Sequence, residues 1–593
     1  MVELELENGL KLISDNDGFI TLFAPDLEGK TARFKITGNG YSTGQRDFWG
    51  EESFTTTIQA GKFEKCYLKR TQLAQRLYRI TGASRYNHTI LAGKKPRFET
   101  SDLLPGGVIG QDSVITVPWK NRLWNFYGDT LGLSGFNFSA SCARLPFSDK
   151  MHPSFDPDIG LPLEYLVDEN GFAKKMIETG KKGFTWIEYV LPVKLFANSK
   201  SKSLLARYVL HSSLEKAEEA GFALFQESEG SFRIVKRFKT SKGHKCTHPV
   251  PIFIGSERRY LLFPWEMTGV EYSEIVNEQE HFFYTCFRKM DSKAKRTKGF
   301  LLNGEKCYIE RDSKGRAIYS WRKGGVAASS LFQQILLQKG VMTEDDVLFA
   351  PLEIDSGKRI ARFDGSIAYN SFKGCWICIS QGIKPGDIIY AEADTPTGPW
   401  GFARKVSEFK RYNLYNPAQH PWFAQENDRF IYYEGTYTNF FSDSPGKNPE
   451  ADYNQVMFKL DLAQEDLIMP IPVYVVRFSE NVSVLLTGKD LYAKNLWDKV
   501  QEIAFFAFPE NAKNADLREI ALSDTVGSRF KVLADKPETK WGKTWISENI
   551  ESKSFLEMTR RLGFEAGNFD GLVIESPVRA RTISPEIKSA VWE

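Results

Sequence analysis

The sequence has few cysteines, almost no net charge and no long apolar run. Its longest apolar stretches, such as residues 470–476, are far shorter than the ~20 residues that a membrane-spanning helix needs. Seven cysteines scattered over 593 residues do not suggest a disulfide framework. The net charge of +3 favours neither nucleic acid nor an anionic membrane as a partner. We therefore expect a soluble protein that binds neither.

The first residues of the sequence have neither a basic segment nor an apolar segment of the kind found in signal peptides. We expect a periplasmic or secreted protein if a signal precedes this sequence. We expect a cytoplasmic protein if Met1 is the natural start.

Short β segments separated by Gly, Asn, Asp and Pro account for most of the chain. Residues 19–23, 260–263 and 430–433 are of strand length and rich in aromatic or branched side chains. Helical patterns occur only near residues 327–339 and 554–562. Because 42% of the residues are hydrophobic and 13% aromatic, the chain has enough apolar material for a folded core. The sequence predicts a mainly β protein.

Residues 1–75 are predicted to form a separate unit. Their hydrophobic alternation on both sides of the turn at residues 15–18 is typical of a hairpin. The stretch LKLISDNDGFITLFAPDLEGKTARFKITGNGY resembles the transthyretin-like or carboxypeptidase-regulatory-like β-sandwich. That resemblance implies a small N-terminal β-sandwich.

The middle of the chain, residues 100–475, carries a weak internal repeat. Each unit opens with an acidic residue or His near a short apolar strand, and an aromatic strand follows a polar turn. The units begin near residues 112, 188, 248, 366 and 420, at intervals that suit four-stranded blades with insertions. We therefore predict a five-bladed β-propeller with a helical insertion at about 327–350. Residues 476–593 form a mixed C-terminal extension that completes the propeller or packs on its side.

Three segments resemble the five-bladed propeller glycosidases of the arabinanase and xylosidase kind. They are QDSVITVPWKNRLWNFYGDT, DIIYAEADTPTGPWGFARKV at residues 387–406 and NPAQHPWFAQENDRFIYYEGTY at residues 416–437. The arrangement also resembles uncharacterised bacterial proteins that join a regulatory-like module to such a propeller. The resemblance implies a carbohydrate-active enzyme with a carbohydrate substrate.

The residues that open the innermost strands of a propeller converge at one end of its central channel. In this sequence the predicted openers are Asp112, Glu188, His248, Asp364 or Ser366, and His420. Glycoside hydrolysis needs two carboxyl groups, one protonated and one ionised.

The resemblance to the propeller glycosidases implies that Asp112 is the catalytic base, because it occupies the position of that residue in the first blade. Glu188 is then the candidate acid or the residue that tunes the pKa of the base, and Asp364 follows it. The usual Asp of the second blade and Glu of the third are not recognisable in this sequence. Asp112 also has a structural interpretation, as the cap of a turn.

His248 and His420 each precede a proline at the start of a predicted repeat. Together with Asp112 or Glu188 they would suit zinc or manganese, whereas calcium in the channel would prefer the oxygen ligands. The sequence requires no cofactor. Alternatively, one histidine would be the base of a polysaccharide lyase. Its partners would be Tyr415 or Tyr433 as the acid and Arg411 opposite a uronate carboxylate.

Aromatic and acidic residues beside the predicted openers are candidates for contact with sugar. Trp186 and Trp422 are favoured as stacking platforms over Trp124, Trp265 and Trp400, which are expected to pack between blades. Glu434 is a further candidate for substrate binding. Turn capping remains the favoured interpretation of Asp129, Glu266 and Glu434.

The leading function is therefore hydrolysis of a glycosidic bond. A lyase acting on a uronate-containing glycan and a propeller that only binds glycan remain as alternatives. The sequence contains no phosphate-binding loop, no serine-hydrolase elbow and no HExxH zinc pattern.

Overall fold

The computed structural model of the chain describes most of the first 507 residues and four short C-terminal segments. The described residues are 2–100, 102–148, 153–196, 198–199, 201–214, 216–238, 248–290, 299–302, 305–361, 363, 365–409, 412–440, 442, 452–479, 482–507, 544–547, 571–574, 581–583 and 587–590. Strands dominate them. Their α-helices are α1 (Asn87–Leu91), α2 (Tyr272–Ile275), α3 (Ser330–Gln338) and α4 (Gly488–Lys494). The helix predicted at 554–562 lies outside the described residues.

None of the described helices is both long and apolar enough to cross a membrane. Helix α3 lies within the insertion that the sequence predicted at 327–350. Its N-cap is Ser329, whose hydroxyl accepts a hydrogen bond from the Phe332 amide at 3.4 Å.

The N-terminal unit is a six-stranded antiparallel sheet. Its strands are β1 (Val2–Leu6), β2 (Lys11–Ile13), β3 (Thr31–Gly38), β4 (Tyr41–Ser42), β5 (Ser53–Thr57) and β6 (Lys69–Arg70). Phe34 and Ile36 on β3 are buried, and the Phe34 ring stacks on Phe54 at 4.9 Å. The next strand, β7 (Gln75–Arg79), leaves this sheet and pairs elsewhere.

Five further sheets form the blades of a propeller. Blade 1 contains β8 (Gly110–Gln111), β9 (Val114–Trp119), β10 (Arg122–Gly132), β11 (Gly135–Pro146) and β12 (Glu164–Tyr165), and blade 2 contains β13 (Phe184–Val193), β14 (Ser203–Ser213), β15 (Lys216–Gln226) and β16 (Ser231–Phe238). Blade 3 is built on β17 (Pro249–Ile254), β18 (Glu257–Leu262), β19 (Glu266–Thr268) and β20 (Phe282–Thr285). An insertion with β21 (Phe287–Lys289), β22 (Phe300–Leu302) and β23 (Glu305–Ile309) follows, and β24 (Ile318–Lys323) then returns to blade 3.

The last two blades follow the insertion. Blade 4 contains β25 (Leu352–Glu353), β26 (Ser366–Asn370), β27 (Cys375–Gln381), β28 (Ile388–Ala393) and β29 (Phe402–Ser407). Blade 5 contains β30 (Asn413–Gln419), β31 (Phe430–Thr438) and β32 (Asn454–Asp461). Strand β7 pairs antiparallel with β32, with Arg79 opposite Val456, so a strand from before blade 1 completes blade 5.

Apolar packing closes the five blades into a ring. Every pair of neighbouring blades, including blades 5 and 1, shares a buried hydrophobic cluster. The five interfaces contain, in order, Phe126 with Phe232, Tyr189 with Tyr260, Ile252 with Ile367, Ile377 with Leu414, and Leu123 with Tyr432. Many of these residues are aromatic, which explains much of the 13% aromatic content. The predicted mainly β fold with a five-bladed propeller is confirmed.

The C-terminal residues form a separate sheet and also join the propeller. The sheet contains β33 (Ile471–Ser479), β34 (Val482–Thr487), β35 (Val500–Ala507), β36 (Thr544–Ser547) and β37 (Gly571–Ile574). Phe506 of β35 packs against Phe402 of blade 4 at 5.2 Å. Strand β38 (Arg581–Ile583) pairs with β24, and β39 (Ile587–Ser589) pairs with β17, so the end of the chain extends blade 3.

The inner strands begin close to the predicted repeat starts in four blades but not in blade 5. Strand β30 begins at Asn413, so His420 follows the inner strand and the prediction that it opens this strand is wrong. Pro417 hides the strand in the sequence, because proline has no amide hydrogen to donate to a ladder. The register of β30 against β31 shifts between Tyr415 and Ala418, which accommodates this proline in a bulge.

Candidate active site

Two aspartates lie side by side where the first inner strand of the propeller begins. Asp112 precedes β9, and Asp129 lies on the neighbouring strand β10. The Asp129 amide donates a hydrogen bond to Asp112 Oδ1 at 2.7 Å, and the Gly128 amide donates to the Asp112 carbonyl oxygen at 2.8 Å. A Cβ atom at Gly128 would lie 2.2 Å from Asp112 Oδ1, so the close approach requires glycine at this position.

Blade 5 supplies the next contact to this pair. The Tyr415 hydroxyl, on β30, donates a hydrogen bond to Asp112 Oδ2 at 2.7 Å. Asn416 Nδ2 donates to Ser113 Oγ at 2.7 Å, which ties the same strand to the residue after Asp112. Both Asn416 and Ser113 have positive φ, at 48° and 50°. The left-handed backbone at both residues therefore accompanies the contact between blades 5 and 1.

Blade 2 holds the other aspartate. Trp186 Nε1, near the start of β13, donates a hydrogen bond to Asp129 Oδ1 at 2.8 Å, and the Ser139 hydroxyl donates to the same oxygen. The Trp186 ring also lies against Phe184 and against His211, whose centroid is 4.6 Å away. Trp186 was predicted as a platform for sugar, and the structure shows that its indole edge positions Asp129.

We call this group of residues the entry site. It consists of Asp112, Asp129, Trp186, Tyr415 and Tyr453, all half-buried, and it lies where β9, β13 and β30 begin. Three blades therefore contribute to it. Asp112 lies at the end of the channel where the residues that open inner strands were predicted to meet. The other residues that meet it there are Tyr415 and Trp186, not the other predicted openers.

Burial raises the pKa of Asp112 to about 7, and the charge of Asp129 acts in the same direction. Hydrogen bonds from Tyr415 and Tyr453 lower the pKa of Asp112 and oppose only part of this shift. A carboxyl group with a pKa near neutrality can both accept and release a proton at the pH at which most enzymes work.

Replacing Tyr415 with Phe should move the acid limb of the pH profile of activity, on which the base loses its proton, to higher pH. The lost hydroxyl donates a hydrogen bond that lowers the pKa of Asp112, so its removal raises that pKa above about 7. Rates measured from pH 4 to 10 with the intact protein and the variant would show the shift. An unchanged or lowered midpoint would contradict the assignment of that limb to Asp112.

Glu188 lies inside blade 2 and does not open its inner strand. It is the fifth residue of β13, and its carboxylate forms an ion pair with Arg207 of β14. Only 3% of Glu188 and 2% of Arg207 is exposed. This pairing favours a structural role for Glu188. The carboxylate beside Asp112 is that of Asp129, whereas the sequence predicted Glu188 in this place.

His420 and Glu434 form a buried pair at the other end of β30. His420 Nε2 lies 3.0 Å from Glu434 Oε2, and the imidazole ring stacks on Phe423. His420 comes five residues after Tyr415, which corresponds to about 15 Å along an extended strand. The pair is therefore separated from the entry site, and neither residue faces the solvent.

The remaining predicted residues are dispersed. Tyr433 is fully buried, stacks on Phe458 at 5.0 Å and hydrogen-bonds with Ser407, so it does not join Tyr415 at the entry site. Trp422 packs against the apolar cluster shared by blades 5 and 1. The Ser366 hydroxyl accepts a hydrogen bond from the Gln419 amide at 2.7 Å. Asp364 and Arg411 lie outside the described residues.

The predicted metal site does not form among the described residues. None of their His, Cys, Asp and Glu side chains gather in a group of three or more that could hold a metal ion. His248 lies half-buried immediately before β17, and His420 is engaged with Glu434 as described above. The structure thus gives no support to zinc, manganese or calcium bound by these two histidines.

Two residues of the entry site were not selected from the sequence. Asp129 had been assigned to turn capping because it follows an aromatic strand. Tyr453 lies in a turn before β32 with φ of 60°, and no pattern near it in the sequence indicates a site. A Gly-Asp pair on the strand after a candidate base is the one feature that could have indicated Asp129, since glycine permits close approach.

Comparison with known proteins adds weak similarities only. No protein-family model and no curated protein matches the sequence. Among solved structures, the chain is similar to the RS223 β-xylosidase, with 11% identity over 60% of this chain and 93% of that one and a TM-score of 0.28. The GH43_1 enzyme from Xanthomonas citri, complexed with xylose, has 8% identity over 66% and 92% and a TM-score of 0.30. An exo-1,5-α-L-arabinanase from a bovine ruminal metagenomic library has 7% identity over 64% and 98% and a TM-score of 0.27.

At these identities and scores the similarity assigns no activity to this chain. The propeller is established by the strand pairing and by the cores that the blades share. The chain is a five-bladed β-propeller protein with an aspartate pair at the entry site.

Proposed function

We propose that the protein is a glycoside hydrolase whose reaction is carried out by Asp112 and Asp129. The observation that supports this most is the side-by-side placement of the two aspartates, joined by the hydrogen bond from the Asp129 amide to Asp112, because glycoside hydrolysis uses two carboxyl groups. The pKa of Asp112, raised to about 7, suits a base that accepts a proton near neutral pH. The residues of the entry site are half-buried, so part of each is exposed to solvent.

In this reaction one carboxyl group donates its proton to the glycosidic oxygen as the bond to the anomeric carbon breaks. The other carboxylate either accepts a proton from the water that attacks this carbon or attacks the carbon itself. We assign Asp112 as the base and Asp129 as its partner. Trp186 and Ser139 fix the orientation of Asp129, while Tyr415 fixes that of Asp112.

The test is incubation with neutral and acidic glycans, including xylo-oligosaccharides, 1,5-arabino-oligosaccharides and oligogalacturonides. New reducing ends without ultraviolet absorbance from an unsaturated sugar are the expected result. Absorbance with each cleavage would instead indicate a lyase. Binding without cleavage across the panel would indicate a glycan-binding propeller, and either result would overturn the proposal.

A pair of matched variants connects cleavage with the site. Asp129→Asn should lower the rate of cleavage by at least about 100-fold, because one of the two acid–base groups is lost. Asp26→Asn makes the same chemical change at an exposed position in the N-terminal unit and should leave the rate unchanged. Equal rates for the two variants would exclude Asp129 from the reaction.

A further inference from the structure

A cavity of about 800 Å³ lies between β11 of blade 1 and β16 of blade 2. Asn137 and Phe138 line its wall on β11, and they directly precede Ser139, whose hydroxyl contacts Asp129. On the opposite side lie residues of β16, the outer strand of blade 2, including Arg233. The volume is within the range of about 300–1,000 Å³ that is usual for small-molecule sites. The cavity therefore offers room for a part of the glycan that is not being cleaved.

Two aromatic rings form an apolar surface in this cavity. Phe138 and Phe172 are half-buried and meet edge to face, with ring centroids 5.7 Å apart and an interplanar angle of 73°. The aromatic face is the surface on which the C–H face of a pyranose packs. This part of the lining favours a sugar ring over a small inorganic ion.

The charged residues of the lining are mostly paired with one another. Lys175 forms an ion pair with Glu178 at 3.0 Å, and Arg233 forms one with Glu229. The Asp168 carboxylate accepts hydrogen bonds from two amides of its own turn, at 2.9 and 3.0 Å. The two ion pairs balance four of the charges in the cavity, whereas the hydrogen bonds to Asp168 bring no opposite charge.

Lys174 differs from the other cations in the cavity. Its ammonium group donates a hydrogen bond to the backbone carbonyl of Glu229, and among the residues with assigned positions it forms no ion pair with a carboxylate. An ammonium group has three hydrogens to donate, so two are available to a ligand. A half-buried cation beside two aromatic rings is suited to a sugar that carries a carboxylate.

We propose that this cavity binds a carboxylate-bearing sugar unit of the glycan, with Lys174 opposite the carboxylate and Phe172 against the ring. The proposal rests on the proposed glycosidase function, because it names the class of glycan that the entry site cleaves. The substrate is then a uronate-containing glycan whose acidic unit lies outside the entry site. Lys174 acts as a specificity-determining residue and takes no part in bond cleavage.

Calorimetric titration of the Asp112→Asn variant with trimers of galacturonate, glucuronate and mannuronate tests this assignment without turnover. At least one acidic trimer should bind more tightly than xylotriose, and its affinity should fall as salt is added. Adding Lys174→Gln should weaken that binding by about tenfold or more, because a charge-assisted hydrogen bond is lost. The matched change Lys175→Gln, at a cation already paired with Glu178, should weaken it by less than about threefold.

Two further measurements separate this inference from the function on which it rests. In the active protein, Lys174→Gln should raise the KM for the acidic glycan by about tenfold or more, because the lost ammonium group no longer holds the carboxylate. Binding of acidic trimers without cleavage of any glycan would support the proposed sugar site in the cavity and contradict the proposed hydrolase function. If the protein cleaves neutral glycans and both lysine variants bind acidic trimers with equal affinity, the hydrolase function is supported. The proposed role of the cavity is then contradicted.

Discussion

Replacing Asp112 with Asn should reduce glycan hydrolysis by about 1,000-fold or more. Asparagine retains the size of the side chain, and its oxygen can still accept the hydrogen bond from the Asp129 amide. It cannot ionise, so it cannot accept a proton as the Asp112 carboxylate does. The rate of appearance of reducing ends, on the best substrate of the panel, is the measurement.

Retention of the fold is part of this expectation. The aspartate is half-buried with its pKa raised to about 7, so removal of its charge relieves a desolvation cost. The variant should therefore unfold at the same urea concentration as the intact protein, or at a slightly higher one. Turnover within about tenfold of the original rate, in a variant shown to be folded, would remove Asp112 from the reaction.

The sequence predicted the architecture and one residue of the entry site. Alternating short strands and repeat starts were sufficient for a mainly β chain and for five blades. Asp112 was identified because residues before inner strands converge in a propeller. Both inferences use local patterns that survive in the folded chain.

The partner of Asp112 was beyond such reasoning because it depends on contacts between blades. Asp129 is distinguished from other turn carboxylates only by Trp186 of blade 2 and Ser139 of β11. Tyr453 contributes through a left-handed turn. No spacing along the chain encodes these contacts.

Glu188 is a predicted site residue whose contacts favour a structural role. Its position near a repeat start suggested a catalytic acid, but the carboxylate belongs to a buried ion pair. A single sequence does not reveal that Arg207, nineteen positions later, will face it across two antiparallel strands, since the bulge after Ile187 sets this register. The pairing gives Glu188 a testable structural role.

Replacing Arg207 with Met should lower the free energy of unfolding by about 3–5 kcal/mol. The substitution leaves the Glu188 carboxylate buried, with 3% exposure, and without the guanidinium that neutralises it. It also removes the 2.9 Å contact of Arg207 Nε with Glu278, which is more exposed and therefore contributes less. Urea titration followed by tryptophan fluorescence measures the change.

The double variant Glu188→Gln/Arg207→Met distinguishes an ion pair from simple loss of packing. Replacing both charges removes the uncompensated carboxylate, so most of the lost stability should return. If Arg207 contributed only its contact with the Phe238 ring, the double variant would remain as unstable as Arg207→Met alone. The single variant Glu188→Gln adds a readout of activity. It should hydrolyse glycan at close to the original rate, whereas a loss as large as that of Asp112→Asn in a folded protein would restore Glu188 as the catalytic acid.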